Sequence, residues 1–255
     1  MDLTCNLALG TSYRSRSQVA RVVTEDWCSR ILYCVGCETD RLVQAATNTP
    51  GRDFSCRNCG EHYQLKSSSR LPTTKIVDSA YSAMIQALRS DSVPNLLALH
   101  YSAEWKIHNL LLIPRFSYSE TAIEKRRPLG PNARRAGWIG CNILLSQIPP
   151  SAILEIVRNG TVRPKNAVRQ AFDKLRPLSE LKPEKRGWTL DVLWVVENLP
   201  KNFALSDVYE HVPQLQELHP NNLHVRDKVR QQLQVLRDMG RIRFLGNGRY
   251  EQSLR

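Results

Sequence analysis

No stretch of the sequence approaches the ~18 consecutive apolar residues of a membrane span. The longest clean runs, such as LLLI at 110–113, are strand-sized. The opening segment MDLTCNLALGTSYRSRS has no basic region followed by an apolar core, as a secretory signal would. The expectation is a soluble, non-secreted protein. Internal repeats and low-complexity tracts are missing too. Acidic residues are scarce: 24 Asp and Glu against 36 Lys and Arg leave a net charge of +12. That excess favours a polyanionic partner, although charge alone does not separate DNA from RNA or a membrane surface. Aromatic motifs suited to stacking single-stranded RNA are not evident. With 42% hydrophobic and 24% charged residues, wholesale disorder is excluded. A chain of 255 residues makes one large domain or two smaller ones.

The positive charge is unevenly spread. Residues 223–255 carry eight basic and three acidic side chains, whereas 183–222 carry three and six. A second basic concentration, Lys125, Arg126, Arg127, Arg134 and Arg135, lies mid-chain. Two separate patches suggest two contacts with one polyanion.

Cysteines number seven, an odd count, and four of them read Cys34-x2-Cys37-x18-Cys56-x2-Cys59. Two CxxC knuckles at this separation aim four thiolates at one tetrahedral zinc ion. Disulfides conflict with the missing secretion signal, and a redox motif needs only one knuckle. Four thiolates close the coordination shell, so the expected role is structural. Cys5, Cys28 and Cys141 have no partner spacing and read as small buried residues.

Apolar spacing predicts a first helix over 17–33, capped by Ser17, then extended segments at 52–56 and 62–67 around the second knuckle. A helix is expected over 75–90, followed by two core strands, LLALHYS and WKIHNLLLIP. Residues 114–137 read as a long functional loop, 135–145 as the entry to another strand, and 165–175 as a helix. RPLSELKPEKRG at 176–187 reads as a linker between domains 1–182 and 183–255.

The second domain has the pattern of a winged helix. WTLDVLWVVENL forms one helix, Ser206 opens a short second, and His224–Asp238 forms the longest, burying Val225, Val229, Leu233 and Leu236. RIRFLGNGRYEQ then alternates across a Gly-Asn-Gly turn, a hairpin signal, and carries Arg249. On the third helix Arg226, Arg230 and Arg237 fall within about 40° of one another at ~100° per residue. Gln231, Gln232 and Gln234 lie beside them, and Arg and Gln are the residues that read guanine and adenine edges. The plainer reading is a protein-docking winged helix with solvated arginines.

Asp53 and Gln64-Leu65-Lys66 lie eleven residues apart on two extended segments. Phosphodiester hydrolysis needs a hard cation, oxygen ligands and an activated water. Asp53, the Gln64 amide oxygen and the Leu65 main-chain carbonyl offer oxygens for Mg2+. Strand alternation puts Lys66 on the same face as Gln64, where it can stabilise developing charge. Alone, the spacing D-x10-QxK is unspecific.

More specific text surrounds it: RDF…QLK, TEDW, the four-cysteine frame enclosing Asp53, RRAGWIGCNI at 134–143, and VRQQLQVLRDMGRIRFLGNGRY at 229–250. Together these resemble the DpnI-type methyl-directed restriction endonucleases along nearly the whole chain. The resemblance implies an α+β architecture: a PD-(D/E)xK nuclease domain with an inserted four-cysteine zinc site, followed by a winged helix. It implies Mg2+-dependent cleavage of double-stranded DNA at GATC containing N6-methyladenine, by a cytoplasmic, prokaryotic, monomeric enzyme. Asp53, Gln64 and Lys66 fall on the nuclease motif, with Leu65 as a main-chain ligand, and Trp138 falls in the loop that approaches the methylated base. Gln64 departs from the pattern by standing where the general signature has an acid, and a neutral ligand holds magnesium less tightly. Glu61 is turned to the other face by strand parity. Glu25 either adds an acid to the site or is an exposed helical residue.

Burying a methyl group is worth about 0.8 kcal/mol, so two in a palindrome give roughly fifteen-fold discrimination. A steric or stacking fit must add to that. Trp138, between Gly137 and Gly140, offers a flat apolar wall, its alternative being a core role. Trp27, Trp105, Trp188 and Trp194 read as core or interface residues. The competing functions are a non-catalytic zinc-ribbon and winged-helix DNA-binding regulator, and an RNA-processing factor.

Overall fold

The structure is a computed structural model that describes residues 1–46 and 49–253. The first helix, α1 (Arg16–Ile31), buries Ala20, Val23, Thr24, Trp27 and Cys28. Its cap position is Ser15 rather than Ser17, and the two hydroxyls lie 2.8 Å apart. Trp27 is fully buried, and its indole donates to the Asp2 carbonyl at 2.9 Å, tying down the start of the chain.

Strands β1 (Val43–Gln44), β2 (Phe54–Ser55) and β3 (His62–Ser68) form an antiparallel meander around the second cysteine knuckle. The helix expected over 75–90 is instead a strand, β4 (Lys75–Ala80), followed by a shorter helix, α2 (Tyr81–Arg89). Ile76 and Asp78 are buried while Lys75 and Val77 are exposed, which is the period of a strand. Met84 and Leu88, four apart, carry the buried stripe of the helix proper. Strand parity turns Asp78 inward.

The two core strands are β5 (Asn95–Tyr101) and β6 (Ile107–Ile113). β5 lies parallel to β3, with β4 and α2 in the connection, and antiparallel to β6. A parallel strand covered on both faces reads as a continuous apolar run, as Leu96–Leu99 does. Residues 114–137 are less irregular than expected: they contain a 3-10 turn at Glu120–Ala122 and a short strand, β7 (Ile123–Lys125). β7 and β4 flank β8 (Gly140–Leu144) in a second sheet. β9 (Leu154–Arg158) and β10 (Thr161–Val162) complete a seven-stranded sheet in the order β1-β2-β3-β5-β6-β9-β10. Their turn is Asn159-Gly160, both at positive φ, a hairpin signal. Helix α3 (Lys165–Leu175) matches its expected span.

The segment read as a linker is packed. Arg176–Glu180 forms a 3-10 turn with Leu178 buried, and α4 (Pro183–Asn198) starts five residues before Trp188. α4 is buried on several sides at once. Trp188, Val192, Leu193, Val195 and Val196 belong to the C-terminal core, whereas Leu190 joins the larger core. Arg186 pairs with Asp91, Asp191 accepts from Thr121 at 2.8 Å, and Glu197 accepts from the Ser151 backbone at 2.9 Å. Prolines and charges there mark helix start and ion pairing rather than a solvated tether.

Beyond α4 come β11 (Asn202–Ala204), α5 (Leu205–Tyr209), α6 (Val212–Leu218), α7 (Val225–Asp238), β12 (Ile242–Gly246) and β13 (Arg249–Gln252). Ser206 lies inside α5 and does not cap it; the Asp207 carboxylate instead accepts the Ala204 N–H at 2.8 Å. α7 buries Val225, Val229, Leu233 and Leu236 as its spacing predicts. The wing turns at Asn247-Gly248, both at positive φ, and β13 is central between β11 and β12. α6 and β11 were not anticipated. No described helix is long and apolar enough to cross a membrane.

Candidate metal centres and nucleic-acid interface

Cys34, Cys37, Cys56 and Cys59 converge, all four Sγ atoms lying within 4.8 Å of one another. The spread suits one tetrahedral ion, and an all-thiolate set fits zinc. The first knuckle follows α1 and the second is the turn between β2 and β3. A hydrogen-bonding shell surrounds the sulfurs. The Tyr63 hydroxyl accepts the Val35 N–H at 3.2 Å and lies 3.2 Å from Cys34 Sγ, the atom to which it can donate. Thr39 Oγ1 lies 3.1 Å from Cys37 Sγ. From α3, Arg169 donates to the Cys34 and Thr39 carbonyls and pairs with Glu38 at 2.7 Å, and Arg176 donates to the Gly36 carbonyl. These arginines, which no spacing rule singled out, clamp the first knuckle onto α3 and the turn that follows it. Cys5, Cys28 and Cys141 are buried away from the cluster, and burial pushes the Cys28 thiol well up.

Three residues before Cys56, the chain places Asp53 against β3. Phe54 pairs with Tyr63, and Asp53 lies one residue before that pair, just outside β2. Asp53 is held by its main chain and its side chain: its N–H donates to the Tyr63 carbonyl at 2.9 Å, and its Oδ2 accepts the Leu65 N–H at 2.6 Å. Gln64 and Lys66 share a face by alternation, as expected. What they meet there was not expected. Lys66 Nζ lies 2.5 Å from Asp78 Oδ1, and the Gln64 amide nitrogen donates to the same oxygen at 3.3 Å. Asp78 Oδ2 is buried with no hydrogen-bond partner. Reading 75–90 as one helix hid Asp78, because a helical residue there would carry no fixed relation to β3.

Glu25 is not the exposed helical residue of the plainer reading. Its side chain is 19% exposed and accepts from the Gln44 amide at 3.3 Å. Burial raises its carboxyl above the usual range, Arg21 opposes the rise, and the nearby Asp53 charge adds to it. Glu61 is engaged elsewhere, accepting from Asn95 at 2.7 Å and facing Arg115 at 3.6 Å. The oxygen-rich region around Asp53 therefore contains one more acid, Glu25, and Lys66 is anchored by another, Asp78.

The basic loop between β7 and β8 folds back on itself. Leu129 N–H donates to the Trp138 carbonyl, and Gly137 N–H donates to that of Leu129, both at 2.9 Å. Arg134 and Arg135 are exposed, with the Arg135 guanidinium 5.7 Å from the Trp138 ring centroid. Trp138 is half-buried, and its ring lies so close to Gly140 that a Cβ there would sit 2.7 Å from two ring carbons. Gly137 takes positive φ at the turn.

On α7, Arg226 and Arg230 are exposed and lie over the Tyr209 ring, at 5.2 and 5.8 Å from its centroid. Arg230 Nε also donates to the Tyr209 hydroxyl at 2.5 Å. Arg237 is exposed and bonded to Asp238, and Gln231, Gln234 and Arg249 are exposed. Gln232 does not join them: it is fully buried, and its amide oxygen accepts from Thr189 at 2.7 Å. Its position on the helix, three residues after Val229 and four before Leu236, puts it on the buried stripe. Arg241 is also buried, donating to Ser151 at 2.6 Å, so it leaves the surface charge. A groove of about 920 Å³ between α2, α4 and the α6–α7 turn is lined by Trp188 but by none of the candidate metal-site, catalytic or DNA-contact residues.

Against known families, the chain matches the DpnI model, described as the Dam-replacing family, over residues 1–181. It matches the DpnI C-terminal model, the Dam-replacing HTH domain, over residues 184–252. The first match alone spans more than half of the chain, and its region contains the four-cysteine cluster, Asp53, Gln64, Lys66 and Trp138. The protein is therefore a member of the DpnI, or Dam-replacing, family.

Proposed function

We propose that this protein is a methylation-dependent restriction endonuclease that hydrolyses double-stranded DNA at GATC sites carrying N6-methyladenine, using Mg2+. Family membership supports a methyl-directed restriction enzyme. The observation that carries the hydrolytic part is the seating of Asp53 against the strand that carries Gln64 and Lys66, through the Leu65 N–H at 2.6 Å. Asp53, the Gln64 amide oxygen and the Leu65 carbonyl offer hard oxygens suited to magnesium. When bound, the ion supplies polarisation of the scissile phosphate and acidifies the attacking water. The remaining work falls to the chain. Asp53 orients that water or accepts its proton, and Lys66 places positive charge where the phosphorane develops negative charge. The four cysteines keep zinc as a structural ion and hold the β2–β3 turn, and Asp53 lies just before β2.

Recognition is shared between two surfaces. Arg226, Arg230, Gln231, Arg237 and Arg249 form the winged-helix contact, with phosphate pairing supplying most of the affinity and base edges the selectivity. Arg134 and Arg135 bring the central loop to the backbone, and Trp138 presents its ring to the methyl group. The chain acts as a cytoplasmic monomer.

A second reading, a zinc-bearing DNA-binding regulator without catalysis, draws on the neutral Gln64 and on the pairing of Lys66 with Asp78. Incubation with Mg2+ and plasmid from methylating and non-methylating hosts separates the two. The endonuclease cuts the methylated plasmid alone and is stopped by EDTA. Retention of methylated DNA without any cutting would establish the regulator.

A further inference from the structure

We propose that Asp78 is a positioning residue that decides which way the Gln64 amide points. It thereby makes a neutral side chain usable where most nuclease centres of this kind have an acid. The inference rests on the hydrolytic reading above and deepens it.

A carboxylate at position 64 would offer two equivalent oxygens and need no orienting. An amide offers one oxygen and one NH2, so half of its orientations present donors to a cation. Asp78 removes that ambiguity. An ionised carboxylate only accepts, and its Oδ1 already receives Lys66 Nζ at 2.5 Å. Turning the Gln64 oxygen toward it would set two acceptors face to face. The Gln64 NH2 therefore faces Asp78, at 3.3 Å, and the amide oxygen is left on the other side. With the Asp53 carboxylate seated on the neighbouring Leu65 N–H at 2.6 Å, that oxygen is the one available to a cation beside Asp53.

The burial of Asp78 sharpens the point. Its side chain is 1% exposed, and Oδ2 is buried without a hydrogen-bond partner. Such a group is costly to bury, and an apolar residue would serve a merely structural position better. One oxygen instead collects both functional side chains of β3. Strand parity in β4 makes this possible, since Ile76 and Asp78 both turn inward.

The test is a calorimetric Mg2+ titration of the full-length, zinc-loaded protein, with cleavage kinetics on methylated plasmid alongside. Asp78→Asn keeps the shape but presents donor and acceptor alike, so it loses the bias. Mg2+ affinity should fall about tenfold, the effect of one charge-assisted hydrogen bond. kcat should fall at subsaturating Mg2+, with KM for DNA unchanged. Gln64→Glu introduced into the Asp78→Asn protein should restore Mg2+ affinity, because a carboxylate needs no orienting. Asp78→Ser serves the same comparison should the asparagine variant misfold. Unchanged Mg2+ affinity, or a loss that Gln64→Glu does not restore, overturns the inference while the hydrolytic reading stands. A wild-type protein that neither binds Mg2+ nor cuts DNA removes that reading, and this inference with it.

Discussion

The two candidate metal centres lie three residues apart in sequence, at Cys56 and Asp53, yet they are built on opposite principles. The four-cysteine cluster is closed: its donors are identical, mutually within 4.8 Å and wrapped by Tyr63, Thr39 and Arg169. The oxygen centre is open and heterogeneous, mixing Asp53, an amide, a main-chain carbonyl and a lysine drawn aside by Asp78. One arrangement suits an ion that never leaves and never reacts. The other suits an ion that needs free positions for phosphate and water. Their adjacency means that the closed centre sets the frame on which the open one is aligned.

The largest effect should come from breaking the closed centre. We expect one zinc per chain by elemental analysis, and its removal, or Cys34→Ser with Cys59→Ser, should unfold the β2–β3 turn and abolish cleavage. Structural zinc sites of this type contribute on the order of 10 kcal/mol, far more than a marginally stable domain can lose. Zinc-free protein that retains its melting temperature would break the comparison.

Breaking the open centre should spare the fold. Asp53→Ala or Lys66→Ala should lower kcat by on the order of a thousandfold, since several kcal/mol of transition-state stabilisation are lost. Methylated-DNA binding should stay within about tenfold, because phosphate contacts elsewhere carry it. Gel retardation together with single-turnover cleavage checks both halves.

How much of this contrast was legible in the sequence depends on the spacing rule each centre obeys. Paired CxxC knuckles have a fixed geometry, so all four ligands were readable. The wing was readable for a similar reason, since Gly-Asn-Gly specifies a tight turn and Val225, Val229, Leu233 and Leu236 keep one helical stripe. The oxygen centre has no such local rule. Asp53, Gln64 and Lys66 are candidates through a resemblance, and the Asp78 contact with them was not legible because Ile76, Ala80, Met84 and Ala87 also fit a helical stripe that tertiary pairing with β8 overrides. Glu25 stayed between two readings because burial of a helical acid depends on β1, whose Gln44 donates to it and which is distant in sequence. Gln232 was misplaced for the converse reason: polar residues are read as exposed unless a buried partner, here Thr189, is known.

A smaller effect should come from the methyl-facing loop. Gly140→Ala would push a Cβ into the Trp138 ring at 2.7 Å and displace it. Discrimination between methylated and unmethylated duplexes should fall by up to about fifteen-fold, the value of two buried methyl groups, with thermal stability little changed. Competition binding on paired duplexes measures it, and unchanged discrimination would remove Trp138 from methyl sensing. The smallest effect is expected at the winged helix. Arg230→Ala should weaken binding evenly across sequences and reduce the slope of log affinity against log salt by about one, if its guanidinium pairs with a phosphate.

The most direct measurement is digestion of two plasmids that differ only in GATC adenine methylation, by the wild-type protein and by Asp53→Ala, in Mg2+ and in EDTA. The account predicts cutting of the methylated plasmid alone, by the wild-type protein alone, and only in Mg2+. Cutting that ignores methylation, or that survives Asp53→Ala, would contradict it, as would intact plasmid in every lane.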